Sequence, residues 1–215
     1  MRRTLRSVDD PAHDSSRARR RIVTIPNLIS IGRLLCVPVF LWLLWGAEEP
    51  IAAGLLLAVL GASDWVDGWI ARHYDQTSDL GKILDPTADR VLLLAAAIAL
   101  LVEHLSTAID IVLWIVIARE VIIAAATIGL GLAGARRIDV VWAGKAGTLA
   151  LMFALPLFLL ADAIDSLEVL LSIAAWGFAV AGIGLGYYAA VKYVPAARDA
   201  LRQGRAARLA TEVHG

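Results

Sequence analysis

Six apolar stretches of about 20 residues, separated by short polar turns, occupy most of this chain, and that length is what an α-helix needs to cross the hydrocarbon core of a bilayer. In lipid every backbone N–H and C=O must find a partner inside the protein, so a spanning segment of this kind is stable only as a helix. Composition agrees: 59% of the 215 residues are hydrophobic, above the usual share of a soluble domain. The sequence predicts an all-α integral membrane protein with six transmembrane helices. The sequence turns apolar at Ile22, Pro26-Asn27 marks the start of the first span, which runs to about Gly46, and the later ones end near residues 73, 102, 132, 161 and 191. Residues 1–21 read as a basic tail, 22–194 as the six-span domain and 195–215 as a second basic tail.

Charge placement predicts the orientation. Lysine and arginine fall in both tails and in the links after spans two and four, whereas 47–50, 103–110 and 162–168 carry no basic residue except His104. The positive-inside rule then puts both termini and both basic links in the cytosol, in a multi-pass protein of the cell membrane. The formal net charge is zero, and no nucleic-acid partner is expected. The single cysteine, Cys36, excludes an intramolecular disulfide framework. The four histidines are scattered without zinc-ligand spacing, and the N-terminal region lacks the pattern of a cleavable secretory signal.

The polar chemistry concentrates between spans two and three, where the chain reads Asp64, Asp67, then Asp85 and Asp89. Residues three or four apart share a helix face, about 5–6 Å between Cβ atoms, so each pair can point at one spot. At 1.5 Å per residue Asp64 falls roughly 20 Å along span two, and Asp85 and Asp89 open span three. Both pairs therefore belong to the cytosolic end of these spans. Four carboxylates beside a bilayer need neutralising. Their hard oxygens suit magnesium, calcium or manganese, and two such ions would clamp a phosphoryl group in transfer. Gly68 and Ala71 leave the helix face open, Arg72 offers a planar fork of donors to phosphate, and Gly81 lets the link pass close to a ligand. Taken singly, an Asp near a helix end is a cap, Gly68 is packing material and Arg72 is a topology determinant. Their convergence on one face points instead to a metal-diphosphate site.

The pattern Asp64-x-x-Asp67-Gly68-x-x-Ala71-Arg72, eight residues, then Gly81-x-x-x-Asp85-x-x-x-Asp89 resembles the complete signature of the CDP-alcohol phosphotransferase family, also called class I CDP-alcohol phosphatidyltransferases. The resemblance extends over the six spans and implies a homodimeric membrane enzyme of phospholipid biosynthesis. Such an enzyme transfers a phosphatidyl group from CDP-diacylglycerol to a second alcohol and releases CMP. It implies two ions, Mg2+ or Mn2+, held by Asp64, Asp67 and Asp85, with Asp89 beside the metals as general base. It also implies a nucleotide pocket lined by Asp64, Gly68, Ala71, Arg72 and Gly81.

The acceptor is less constrained. Ile25-Pro26-Asn27-Leu28-Ile29-Ser30-x-x-Arg33, Leu84-Asp85-Pro86-x-Ala88-Asp89, Arg119-Glu120 and Gly144-Lys145 are similar to the phosphatidylglycerophosphate synthase branch, whose acceptor is sn-glycerol 3-phosphate. Candidate partners for that phosphate are Arg33, Arg119, Arg136, Arg137 and Lys145. Arg33 can instead snorkel to the head groups, and Arg136 and Arg137 can serve topology alone. Arg119 interrupts an apolar run, which makes it a functional candidate, with Glu103 or Glu120 as its nearest carboxylate. One departure is Arg90, where that branch commonly has lysine after the last acid. Cardiolipin synthases of the same superfamily, with phosphatidylglycerol as acceptor, share the opening and Asp85-Pro86; an inositol-phosphate acceptor is a further alternative. The non-enzyme alternative, a cation transporter, fits less well, because transporters place their ligands near the midplane at broken helices.

Overall fold

The computed structural model describes the backbone of residues 25–73, 81–132 and 142–213, and the side chains of 28–63, 87–129 and 142–192. Its elements are helical throughout. In chain order they are α1 (Ile25–Leu41) running into a π-helical turn (Trp42–Gly46), α2 (Pro50–His73), α3 (Gly81–Glu103) and α4 (Thr107–Leu132). They continue with α5 (Trp142–Ala163), a 3-10 turn (Asp165–Leu167) and α6 (Glu168–Val213). The 1–21 tail and Arg136 and Arg137 lie outside the described residues. The last span and the basic segment after it form one helix, α6, with no break at residue 195.

Among the described residues, four stretches are long and apolar enough to cross a membrane: Leu28–Gly46, Thr107–Gly129, Trp142–Ala163 and Asp165–Lys192; Pro50–Ser63 is apolar and shorter. Burial sorts them. Over half of the α5 stretch is buried inside the bundle, at 56%, against 22% for the stretches in α1, α4 and α6. Thus α5 is a central strut, and the others turn apolar faces outward. On α1 and the π-helical turn that follows it those faces carry Leu28, Leu35 and Trp42, spaced seven apart and so close to one side of a helix. An apolar exterior is what a bilayer solvates, and the chain is an integral membrane protein.

The core joins Phe40 of α1, Leu57 of α2, Leu92 and Leu100 of α3, Leu113 and Val116 of α4, Leu155 and Phe158 of α5, and Ala175 and Ala179 of α6. Between α5 and α6 the backbones nearly touch. A Cβ on Gly147 would meet Gly182 O at 2.9 Å, and one on Gly182 would meet Gly147 O at 2.9 Å. Small residues allow this approach, which replaces the hydrophobic drive that lipid removes.

Local chemistry sets the turns at the end opposite the acid pairs. Pro38 lies inside α1, and one turn later Ala47 N–H donates to Trp42 O at 2.8 Å, the wide π spacing. Glu48 takes φ 56° and reverses the chain, and Pro50 starts α2, a first helical position where its missing N–H costs nothing. His104 takes φ 52° after α3, and Ser106 Oγ caps α4 by accepting from Ile109 N–H at 3.3 Å. Trp45 Nε1 donates to Glu103 Oε1 at 2.8 Å, tying the first turn to the end of α3.

Candidate active site

The predicted acid pairs fall on two consecutive helices. Asp64, Asp67, Gly68, Ala71 and Arg72 are helical in the C-terminal part of α2; Gly81 opens α3, and Asp85 and Asp89 follow in its first turns. The side chains of Asp64, Asp67, Arg72 and Asp85 lie outside the described residues, as does that of Ala71. What can be followed atom by atom is the floor beneath them.

There, three helices meet on Arg33. Its guanidinium is buried, and Nη1 donates to Asp89 Oδ1, while Nη2 lies 3.5 Å from Ser63 Oγ. Ser63 is the residue before Asp64, and its hydroxyl donates to Leu60 O at 2.7 Å. One arginine from α1 thus touches Ser63, the last residue of α2 whose side chain is described, and the last acid of α3, so the acid-bearing ends of α2 and α3 belong to the same end of the bundle. Arg33 does not snorkel; it faces the polar site. Its contact with a carboxylate meets the requirement for an intramembrane charge, since a buried cation without a partner is costly. The Asp89 side chain is partly exposed, at 19%.

On the other side of α3, Arg119 and Glu120 of α4 form a second cluster. Arg119 Nη1 donates to Glu120 Oε1 at 2.5 Å, and Arg90 Nε lies 3.8 Å from Glu120 Oε2. The carboxylate partner of Arg119 is therefore Glu120, whereas Glu103 is engaged by Trp45 at the far end. Lys145 is exposed in the first turn of α5 and joins neither cluster. The structure thus brings Arg33 to Asp89 and sets Arg119 one helix away.

Ser63 and Glu120 are the contributors that pattern reading undervalued. Ser63 is a polar residue closing the apolar run of α2 just before the first acid, which was the available signal. Glu120 follows Arg119 directly, and sequence neighbours do not face each other on a helix. Only the approach of α3 shows why that carboxylate is buried, at 3% exposure.

No three acidic, histidine or cysteine side chains gather among the described residues, and the expected ligands Asp64, Asp67 and Asp85 have side chains outside them. The donor set fits divalent ions: oxygen ligands alone, on two helices that Arg33 shows to converge. Asp89 has one carboxylate oxygen engaged by the Arg33 guanidinium.

Comparison with known proteins bears on this site. A family model described as CDP-alcohol phosphatidyltransferase matches residues 23–181. A cardiolipin synthase (CMP-forming) of Streptomyces coelicolor is 37% identical over 195 residues, covering 87% of this chain and 88% of its own. A putative cardiolipin synthase of Mycobacterium tuberculosis is 31% identical over 205 residues, covering 92% and 96%. A CDP-diacylglycerol--glycerol-3-phosphate 3-phosphatidyltransferase of Haemophilus influenzae is 39% identical over 135 residues, covering 61% and 72%.

Proposed function

The chain belongs to the CDP-alcohol phosphatidyltransferase family, and from that premise we propose that it transfers the phosphatidyl group of CDP-diacylglycerol to phosphatidylglycerol, giving cardiolipin and CMP. One observation carries the choice of acceptor. Similarity to the cardiolipin synthases runs nearly end to end, over 87–92% of this chain, whereas similarity to the glycerol-3-phosphate enzymes covers 61%. The charge arrangement is compatible. Arg33 and Arg119, two of the cations offered for a free phosphomonoester, each hold a carboxylate. Transfer to sn-glycerol 3-phosphate is the second reading, favoured by the 39% identity within the shared stretch.

In this reading six helices span the membrane, both termini are cytosolic and the acid-bearing ends of α2 and α3 face the cytosol. Acyl chains of both lipids remain in the bilayer, and cytidine is reached from water. Asp64, Asp67 and Asp85 hold two divalent ions, Mg2+ or Mn2+, whose chemistry there is to neutralise the diphosphate and the charge that develops on departing CMP. Gly68, Ala71, Arg72 and Gly81 line the nucleotide pocket.

Asp89 takes the proton of the acceptor hydroxyl, held by Arg33 so that one oxygen stays aimed at that proton. The acceptor oxygen bonds to the phosphorus of the phosphatidyl group, and the bond from that phosphorus to the bridging oxygen of CMP breaks. Arg72 contributes donors to phosphate oxygens. Two copies of the chain form the working enzyme.

The test is CMP release from CDP-diacylglycerol with Mn2+, comparing phosphatidylglycerol, glycerol 3-phosphate and inositol phosphate. Cardiolipin formation with phosphatidylglycerol is expected. Turnover with glycerol 3-phosphate alone transfers the assignment to the second reading, and no CMP with any acceptor removes both.

A further inference from the structure

The apolar opening of α2, Pro50–Ser63, carries one polar side chain, the serine at its end. A helix in lipid does not need a hydroxyl there, because its backbone groups are already paired. The hydroxyl is nevertheless engaged on two sides. Its proton goes to Leu60 O at 2.7 Å, a back-bond within α2. The lone pairs of Oγ are left to accept, and the donor that reaches them is Nη2 of Arg33 on α1, at 3.5 Å. The same guanidinium is fully buried and gives Nη1 to Asp89 Oδ1 on α3.

We infer that Ser63 is a positioning residue for the transfer step: it sets one edge of the Arg33 guanidinium so that the other edge aims Asp89 at the acceptor hydroxyl. This rests on the reading of Asp89 as the base.

The physical case has three parts. A guanidinium is planar, and its terminal nitrogens are fixed relative to each other. A contact at Nη2 therefore sets the bearing of Nη1, which a lysine ammonium cannot transmit. At 3.5 Å the Ser63 contact is long, so the ion pair supplies the strength and the hydroxyl supplies direction. Direction is what a base needs: it works only within hydrogen-bond reach of the proton it takes, and a displacement of about 1 Å can cost roughly 100-fold in rate. Finally, a hydroxyl serving α2 alone would need only Leu60 O, and that back-bond holds Oγ in place on the helix. Ser63 immediately precedes Asp64. The backbone that leads into the first acid pair is thus joined, through one hydroxyl and one guanidinium, to the last carboxylate of the second pair.

Steady-state kinetics of purified full-length enzyme, read as CMP release with Mn2+, test this. Ser63→Ala removes the acceptor for Nη2 and keeps the helix. Its kcat is expected to fall about tenfold, while both substrate KM values and the Mn2+ concentration for half-maximal rate change less than about threefold. Ser63→Thr keeps a hydroxyl that can back-bond in the same way and should restore kcat to within about twofold of the parent. In an Arg33→Lys background, Ser63→Ala should cost nothing further, because the ammonium does not carry direction from one contact to the other. An unchanged kcat in Ser63→Ala, an equal loss in Ser63→Thr, or losses that multiply in the double variant overturn the inference. So does a loss that added Mn2+ repairs, which would place Ser63 with the metal ligands. Where Arg33→Lys folds poorly, the comparison of Ser63→Ala with Ser63→Thr decides alone. Asp89→Asn separates this inference from the reading beneath it. If that variant keeps the parental kcat, the base assignment fails and the inference with it; if it loses activity while Ser63→Ala does not, only the inference fails. Absence of CMP with every acceptor overturns both.

Discussion

Replacing Arg33 by glutamine separates two roles for this residue, acceptor ligand and holder of Asp89. The guanidinium is fully buried and its carboxylate partner is 19% exposed. Breaking a buried pair by removing one partner costs about 3–5 kcal/mol, because the other charge is left uncompensated. Asp89's partial access to solvent places the expected loss near the lower end, about 3 kcal/mol, or roughly two orders of magnitude in the folded-to-unfolded ratio. Catalysis should fall too. A positioned general base is worth about 10²–10⁴-fold, and losing its orientation while keeping the group should cost about 10–100-fold in kcat. Both quantities are measurable: CMP release at saturating acceptor, and the denaturant midpoint in detergent. The double variant Arg33→Gln/Asp89→Asn removes the orphaned charge, so it should regain most of the stability and none of the activity. A kcat within threefold of the parent, or an effect confined to the acceptor KM, would refute the positioning role and return Arg33 to the acceptor pocket.

Chelation with EDTA should abolish CMP release, and Mn2+ should restore it; Asp67→Ala should fail to bind Mn2+ by electron paramagnetic resonance, and turnover that survives chelation refutes the metal assignment. Gly182→Ala should destabilise by about 1–3 kcal/mol, since its Cβ would lie 2.8 Å from Leu151 Cγ and 2.9 Å from Gly147 O. Gly177→Ala on the same helix meets nothing within 4 Å and should leave the midpoint unchanged; equal losses at the two positions would show that the α5–α6 crossing is not the cause. Trp45→Phe removes the 2.8 Å bond to Glu103 and should cost about 1 kcal/mol with unaltered kcat, because it sits at the end away from the acids. A large fall in kcat would mean the two ends are coupled.

Much of the architecture was legible because its cause is local. An apolar run of about 20 residues must be a helix in lipid whatever surrounds it, and all the predicted segments are helical in the structure where they are described. The helix that carries the sixth span outlasts it. Hydropathy stops near Val191, but α6 continues to Val213, because a polar stretch rich in alanine and arginine keeps helix propensity after its reason to enter lipid has ended. The family, too, was readable, because Asp64, Asp67, Gly68, Ala71, Arg72, Gly81, Asp85 and Asp89 in their order resemble its signature, and the family model matches residues 23–181.

Partnership among charges was not legible in the same way. Arg33, Asp89, Arg90, Arg119 and Glu120 are all visible in the sequence as charged residues at apolar borders, and sequence alone left Arg33 divided between the head groups and the site. Its burial against Asp89 is a consequence of how α1, α2 and α3 cross. Likewise Glu120 gains its meaning from Arg90 on another helix, and Gly186 from an arginine 67 positions away that needs room beside its backbone. Hydropathy and motif spacing act along the chain, so the sequence determined the membrane helices and the chemistry of their acids. Ion pairing in a low-dielectric bundle acts across helices, so only the tertiary structure decided which cation answers which carboxylate.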